Sequence, residues 1–109
     1  MEINYEDFAK LEIKIGTIKE VEVVEGADRL LKLTVDIGEE APRQIVSGIR
    51  EYFDNIEDLV GKQCPFLVNL EARTIRGLES QGMILAGGVD DVFTLLHPGV
   101  VVPPGTPIK

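Results

Sequence analysis

Between Leu11 and Val24, Leu11, Ile13, Ile15, Val21 and Val23 occupy odd positions, while Glu or Lys fills most even ones. Side chains two apart share a face of an extended chain, so the run predicts a long, half-buried strand. Gly16 and the out-of-phase Ile18 predict a bend or bulge within it. After the turn Glu25-Gly26-Ala27-Asp28, the residues Leu31, Leu33, Val35 and Ile37 alternate with Lys32, Thr34 and Asp36, giving a second strand. Gly38 to Pro42 turns the chain, and Arg43 to Ser47 is a short third strand.

Asp54 to Val60 then predicts a helix, with Asp54 or Asn55 as cap, acids in the first turn and Gly61 at its stop. Gln63 to Asn69 is a fourth strand, and Pro65 predicts an exposed edge near its start. Gln81 to Gly87 is a fifth, and Val92 to Leu96 a candidate sixth. Near the N-terminus, Asn4 with Asp7 and Phe8 predicts a short capped helical turn. The tail from Val100 to Ile108 is apolar but holds three prolines, which exclude a central strand.

Three strands, a helix and two more strands is the element order of the OB-fold, a five-stranded Greek-key barrel. Such barrels bind oligonucleotides or sugars with one face and its flanking loops. The long bent first strand fits, because in a small barrel it serves both sides of the closure. The expectation is an all-β fold with one short helix, residues 1–109 forming one domain and about 97–109 a C-terminal extension.

Composition narrows the function. At 109 residues and 44% hydrophobic, the chain can bury its own core, and no apolar run reaches the length of a membrane span. The acidic start, Met-Glu-Ile-Asn-Tyr-Glu-Asp, lacks the layout of a secretory signal, and one cysteine excludes an internal disulfide. A cytoplasmic protein is expected. One Cys and one His without ligand spacing argue against a metal site, and the glycines match no phosphate-loop or dinucleotide fingerprint. No cofactor is therefore expected, and no nucleophile stands beside a base. Net charge is −8, which by itself opposes a nucleic-acid partner. Screening over about 8–10 Å nevertheless lets a compact basic patch act amid acidic surroundings.

The segment Asn69 to Gly82, Asn-Leu-Glu-Ala-Arg-Thr-Ile-Arg-Gly-Leu-Glu-Ser-Gln-Gly, reads as a loop between two apolar strands and carries that patch. Arg73 and Arg76 suit bidentate phosphate contact or stacking on a base. The competing role is pairing with Glu71 and Glu79. Lys32 points outward, opposite Leu31 and Leu33, either toward a ligand or as a solubilising charge. Asn69 and Ser80 suit 2′-hydroxyl or phosphate contact, although both residue types also cap turns, and Ser80 is the better turn candidate. Met83 fits the core by default and a base edge as the alternative. Gly77 and Gly82 predict positive φ.

The pieces Phe8-Ala9-Lys10-Leu11, Ile15-Gly16-Thr17-Ile18, Gly26-Ala27-Asp28-Arg29-Leu30, Val46-Ser47-Gly48-Ile49, Leu59-Val60-Gly61-Lys62, Asn69-Leu70, Arg76-Gly77 and Ser80-Gln81-Gly82-Met83 are specific in their order and spacing. Together they resemble the tRNA-binding domain appended to methionyl-tRNA synthetases. That family includes free-standing small tRNA-binding proteins and synthetase beta subunits. The resemblance implies an OB-fold that recognises the tRNA elbow by shape, without catalysis, and homodimers among free-standing members. It implies RNA contacts at Lys32, Asn69, Arg73, Arg76, Ser80 and Met83. Ala72 and Thr74 stand where relatives often carry a proline and a further lysine, leaving the segment electrically neutral. A synthetase is an implied partner. One branch of the family is associated with protein export, so a chaperone-like peptide-binding homodimer is the alternative, and a subunit docked to a synthetase through protein contacts a third. The tail is the candidate dimer element; folding back on its own barrel is the other use for its valines.

Overall fold

A computed structural model describes all 109 residues. Helix α1 (Tyr5–Ala9) is capped by Asn4, whose Oδ1 accepts from the Asp7 amide at 2.9 Å. The strands are β1 (Ile13–Val24), β2 (Ala27–Asp36), β3 (Arg43–Ser47), β4 (Gln63–Leu67), β5 (Arg73–Ile75), β6 (Leu78–Ser80), β7 (Met83–Ile84), β8 (Ala86–Val89), β9 (Val92–Leu95) and β10 (Thr106–Pro107). The main sheet is antiparallel, in the order β3-β2-β1-β4-β7. Its two ends meet. The Gln81 amide donates to the Gln44 carbonyl at 2.8 Å, and the Ser80 hydroxyl accepts from the Val46 amide at 2.9 Å. At that seam Gly82 has φ of +144°, and a Cβ there would lie 2.9 Å from the Leu67 carbonyl oxygen. Only glycine fits.

The first strand bulges, as Gly16 and Ile18 predicted, with a register shift between Ile18 and Glu20 against β2. The extra residue shifts the inward face, so strict odd-position burial does not run through the strand: Ile15 and Val21 are buried, but so are Gly16 and Ile18. Before the shift, Gly16 and Ile18 face the core; after it, Val21 does, opposite Leu33. Val23, expected inside, is exposed, and Val24 is buried after a second shift. The core gathers Ile18, Leu31, Leu33, Val35, Ile45 and Phe66, all fully buried.

Other elements correct the expectation. Asp54 to Val60 is not an α-helix. Two 3₁₀ turns form, Arg50–Tyr52 and Ile56–Leu59, the second capped by Asn55 and followed by Gly61 at φ +88°. Leu59 is the only buried residue of the second turn, too little apolar surface to hold a longer helix. Pro65 is buried and not exposed. Its carbonyl accepts from the Leu85 amide, so its missing N–H falls on the β7 side, beyond the last ladder pair, Phe66 with Ile84. The fifth strand is cut to two residues, and the chain continues into a separate β8–β9 hairpin turned at Asp90, φ +53°. Phe93 of that hairpin stacks on Tyr52 at 4.1 Å and meets Phe53 edge-on. The tail returns to its own barrel: β10 pairs with β1, Ile15 opposite Thr106, while Val100 and Val101 stay exposed.

Candidate nucleic-acid interface

Asn69 to Gly82 is more ordered than a loop. Its middle is the hairpin β5–β6, closed by Arg76 and Gly77 at φ +52° and +80°. Two successive left-handed residues between paired strands make the tight hairpin turn whose twist matches its strands. Alternation of Arg73, Ile75, Leu78 and Ser80 with Thr74 and Glu79, around an Arg-Gly pair, is the sequence signal that marks it. Residues opposite one another in an antiparallel ladder share a face. Arg73 therefore lies on the same hairpin face as Ile75, Leu78 and Ser80, and Glu79 on the other with Thr74.

The inner face covers Val46, which is buried although it points away from the central core. A crevice of about 50 Å³ opens there, with Val46, Ile75 and Met83 as apolar walls and Arg73 and Glu71 at its rim. Lys32 pairs across the ladder with Val46, on the same outward face. The structure thus brings Lys32, Arg73 and Met83 together around Val46. Met83 is 43% exposed, contrary to its default place in the core. Arg73 is exposed and has no carboxylate within 4 Å, so neither Glu71 nor Glu79 neutralises it. Lys32 does have an acid: its Nζ lies 3.2 Å from Glu22, directly opposite on β1. That pair is partly exposed and worth little, roughly 0–1 kcal/mol, so a phosphate can displace it.

The remaining three residues sit differently. Arg76, at the hairpin tip, donates through Nη2 to the Gly26 carbonyl and lines a hollow with Arg29 beside the β1–β2 turn. Asp28 lines the same hollow and Arg29 lies 3.7 Å from Glu51, which leaves Arg76 as the cation of that hollow without a carboxylate within 4 Å. Asn69 is a clamp: its Oδ1 accepts from the Glu12 amide at 2.9 Å and its Nδ2 donates to the Lys10 carbonyl at 2.7 Å. Ser80 is 4% exposed, accepting from Val46 and donating to the Gly82 carbonyl at 3.1 Å. Its hydroxyl is enclosed and engaged on both sides of the seam.

Sequence reasoning passed over Arg43, Gln44 and Gln81, which order this region. Arg43 holds Glu39 through Nε at 2.9 Å and Nη2 at 2.8 Å. The hydrogen bond to Arg43 holds the Glu39 carboxyl below its ordinary range, and the reciprocal bond raises Arg43, against a smaller opposing effect of burial. The Gln44 amide donates to Gln81 Oε1, and its side chain donates to the Glu79 carbonyl, both at 2.9 Å. No periodic signal marks such side-chain to backbone contacts. No group of three or more His, Cys, Asp or Glu residues converges as metal ligands.

The model of the tRNA binding domain family matches residues 13–107. The chain belongs to that family. It is 51% identical over 108 residues to the methionine–tRNA ligase of Methanospirillum hungatei, covering 99% of this chain and 16% of the ligase. This chain thus spans about one sixth of the length of the curated ligases it matches. Two solved structures cover it over its full length: a MetRS-related protein from Pyrococcus horikoshii, 35% identical with a TM-score of 0.90, and the chaperone CsaA of Bacillus anthracis, 31% identical with a TM-score of 0.89. Each of these two is itself covered completely.

Proposed function

We propose that this protein is a non-catalytic, structure-specific tRNA-binding module of the OB type, acting alone or as an accessory subunit of methionyl-tRNA synthetase in the cytoplasm. One observation carries the reading: Arg73 stands free of carboxylates beside exposed Met83 and outward Lys32, on one wall of a family member whose relatives are methionine–tRNA ligases. The strand path β3-β2-β1-β4-β7 with sealed ends supports the OB assignment. Arg73 and Arg76 grip phosphates, Lys32 exchanges Glu22 for a phosphate, and Met83 offers an apolar contact to a base or ribose. Recognition by shape and 2′-hydroxyls follows from how RNA presents itself, with a deep narrow major groove closed to side chains. Asn69 supports this wall by tying the end of β4 to the residues before β1.

The full-length likeness to a protein described as a chaperone favours one second reading, a peptide-binding homodimer, with the exposed Val100 and Val101 as its apolar surface. Competition binding separates the two. Folded tRNA displaces a labelled tRNA better than linear RNA or an unfolded polypeptide if the first reading holds. Preferential capture of unfolded polypeptide that persists at high salt overturns it in favour of the second.

A further inference from the structure

The excursion that carries Arg73 and Arg76 leaves the barrel after Val68 and rejoins it at Gln81. One side chain touches both points. Arg43 Nη1 donates to the Val68 carbonyl at 2.5 Å and to the Gln81 carbonyl at 3.1 Å. The rest of the same guanidinium is fixed from the opposite side by the two oxygens of Glu39. A planar fork with five donors in fixed directions can hold two carbonyls and both oxygens of a carboxylate at once, four acceptors against the three donors of an ammonium. With a side chain 23% exposed and four acceptor atoms engaged, Arg43 is not a free cation for phosphate.

We propose that Arg43 is a positioning residue for RNA binding, a latch across the stem of the excursion that holds β5–β6 and Arg73 in the binding pose, with Glu39 aiming it. This rests on the RNA-binding reading above. The chemistry explains why β3 supplies the latch. Its neighbour Gln44 grips Glu79 and Gln81, and Val46 bonds Ser80, so successive residues of one strand template the returning arm of the hairpin. A hairpin held in place before binding does not have to be ordered by the ligand, and affinity rises accordingly.

The test compares wild type, Arg43→Lys and Glu39→Gln by tRNA titration at several salt concentrations and by backbone amide exchange. Lysine keeps the charge but loses the fork; the glutamine variant keeps Arg43 and loses one anionic partner, so it reports even if the lysine variant folds poorly. The expected result is tRNA binding about 3- to 10-fold weaker in both, the range for re-ordering one or two side chains. The salt slope stays unchanged, and exchange accelerates at residues 69–82 but not in β1 and β2. Two outcomes overturn the proposal: affinity equal to wild type in both variants, or, in a third variant Arg43→Gln that removes the charge, a salt slope reduced by about 0.7–0.9, which marks a direct phosphate contact. If wild type itself fails to bind tRNA, the RNA-binding reading falls, and acceleration confined to residues 69–82 still identifies Arg43 as the latch.

Discussion

Arg73 and Arg76 differ by three positions and have opposite surroundings. Arg73 stands clear of acids on a strand edge, while Arg76 occupies a left-handed turn and lends one N–H to Gly26. Lys32 was legible as outward-facing because its neighbours Leu31 and Leu33 fix the strand's phase. Asn69 and Ser80 were not legible as clamp and seam, because their partners, Lys10, Glu12 and Val46, lie at least 34 positions away in the chain. Cys64 is fully enclosed, its Sγ 3.8 Å from His97 Nδ1. Burial pushes its thiol up to about 11, with Lys62 a weaker opposing influence. The native protein is therefore expected not to react with a thiol reagent at pH 8 and to react fully once unfolded. Because the folded value is raised, the stability this thiol contributes is complete below its ordinary value of 9.0 and is lost as pH rises toward about 11. Rapid labelling of folded protein at pH 8 contradicts this.

Among the elements, the strands came through alternation and the irregular pieces did not. β3 spans Arg43–Ser47 as expected, with Ile45 buried in the core and Val46 buried on the other face, and β2 keeps the alternation from Leu31 to Asp36 but begins earlier, at Ala27, inside the expected turn. The first strand begins at Ile13, two residues later than expected, and the bulge that Gly16 and Ile18 marked changes its inward face, which odd-position counting does not follow. The β5–β6 hairpin looked like loop because strands of three residues hold too few alternating positions. Gly16 is the element-level test of the corrected face. A Cβ there would sit 2.6 Å from Val35 Cγ1 and 2.9 Å from Phe66 Cδ1. Gly16→Ala is expected to destabilise the fold by about 1–3 kcal/mol through overpacking, measured by chemical denaturation. A neutral effect would place Gly16 away from the core and restore the odd-position reading.

For the whole molecule, net charge of −8 sets the terms. Arg29, Lys10, Lys32 and Arg43 each have a carboxylate within 4 Å; the excursion's two arginines do not, and neither do Lys14, Lys19, Arg50, Lys62 and Lys109. The tail divides its roles: β10 completes the sheet beside β1, leaving Val100 and Val101, 72% and 89% exposed, for another surface. We propose that this surface joins two copies, which doubles the RNA-binding walls and raises avidity. Val101→Asp is expected to halve the solution mass measured by light scattering while leaving the fold intact. A dimer that survives the substitution removes Val101 from the interface.

Fluorescent tRNA titrated into purified protein between low and physiological salt tests the central claim most directly, that a small cationic wall centred on the unpaired Arg73 binds folded RNA on an acidic protein. Three to five phosphate contacts give a slope of log affinity against log salt of roughly −2 to −4.5. Arg73→Ala is expected to weaken binding by about 1–3 kcal/mol through loss of charge-assisted hydrogen bonds. Affinity that does not change with salt, together with an unaltered titration for Arg73→Ala, would contradict the account.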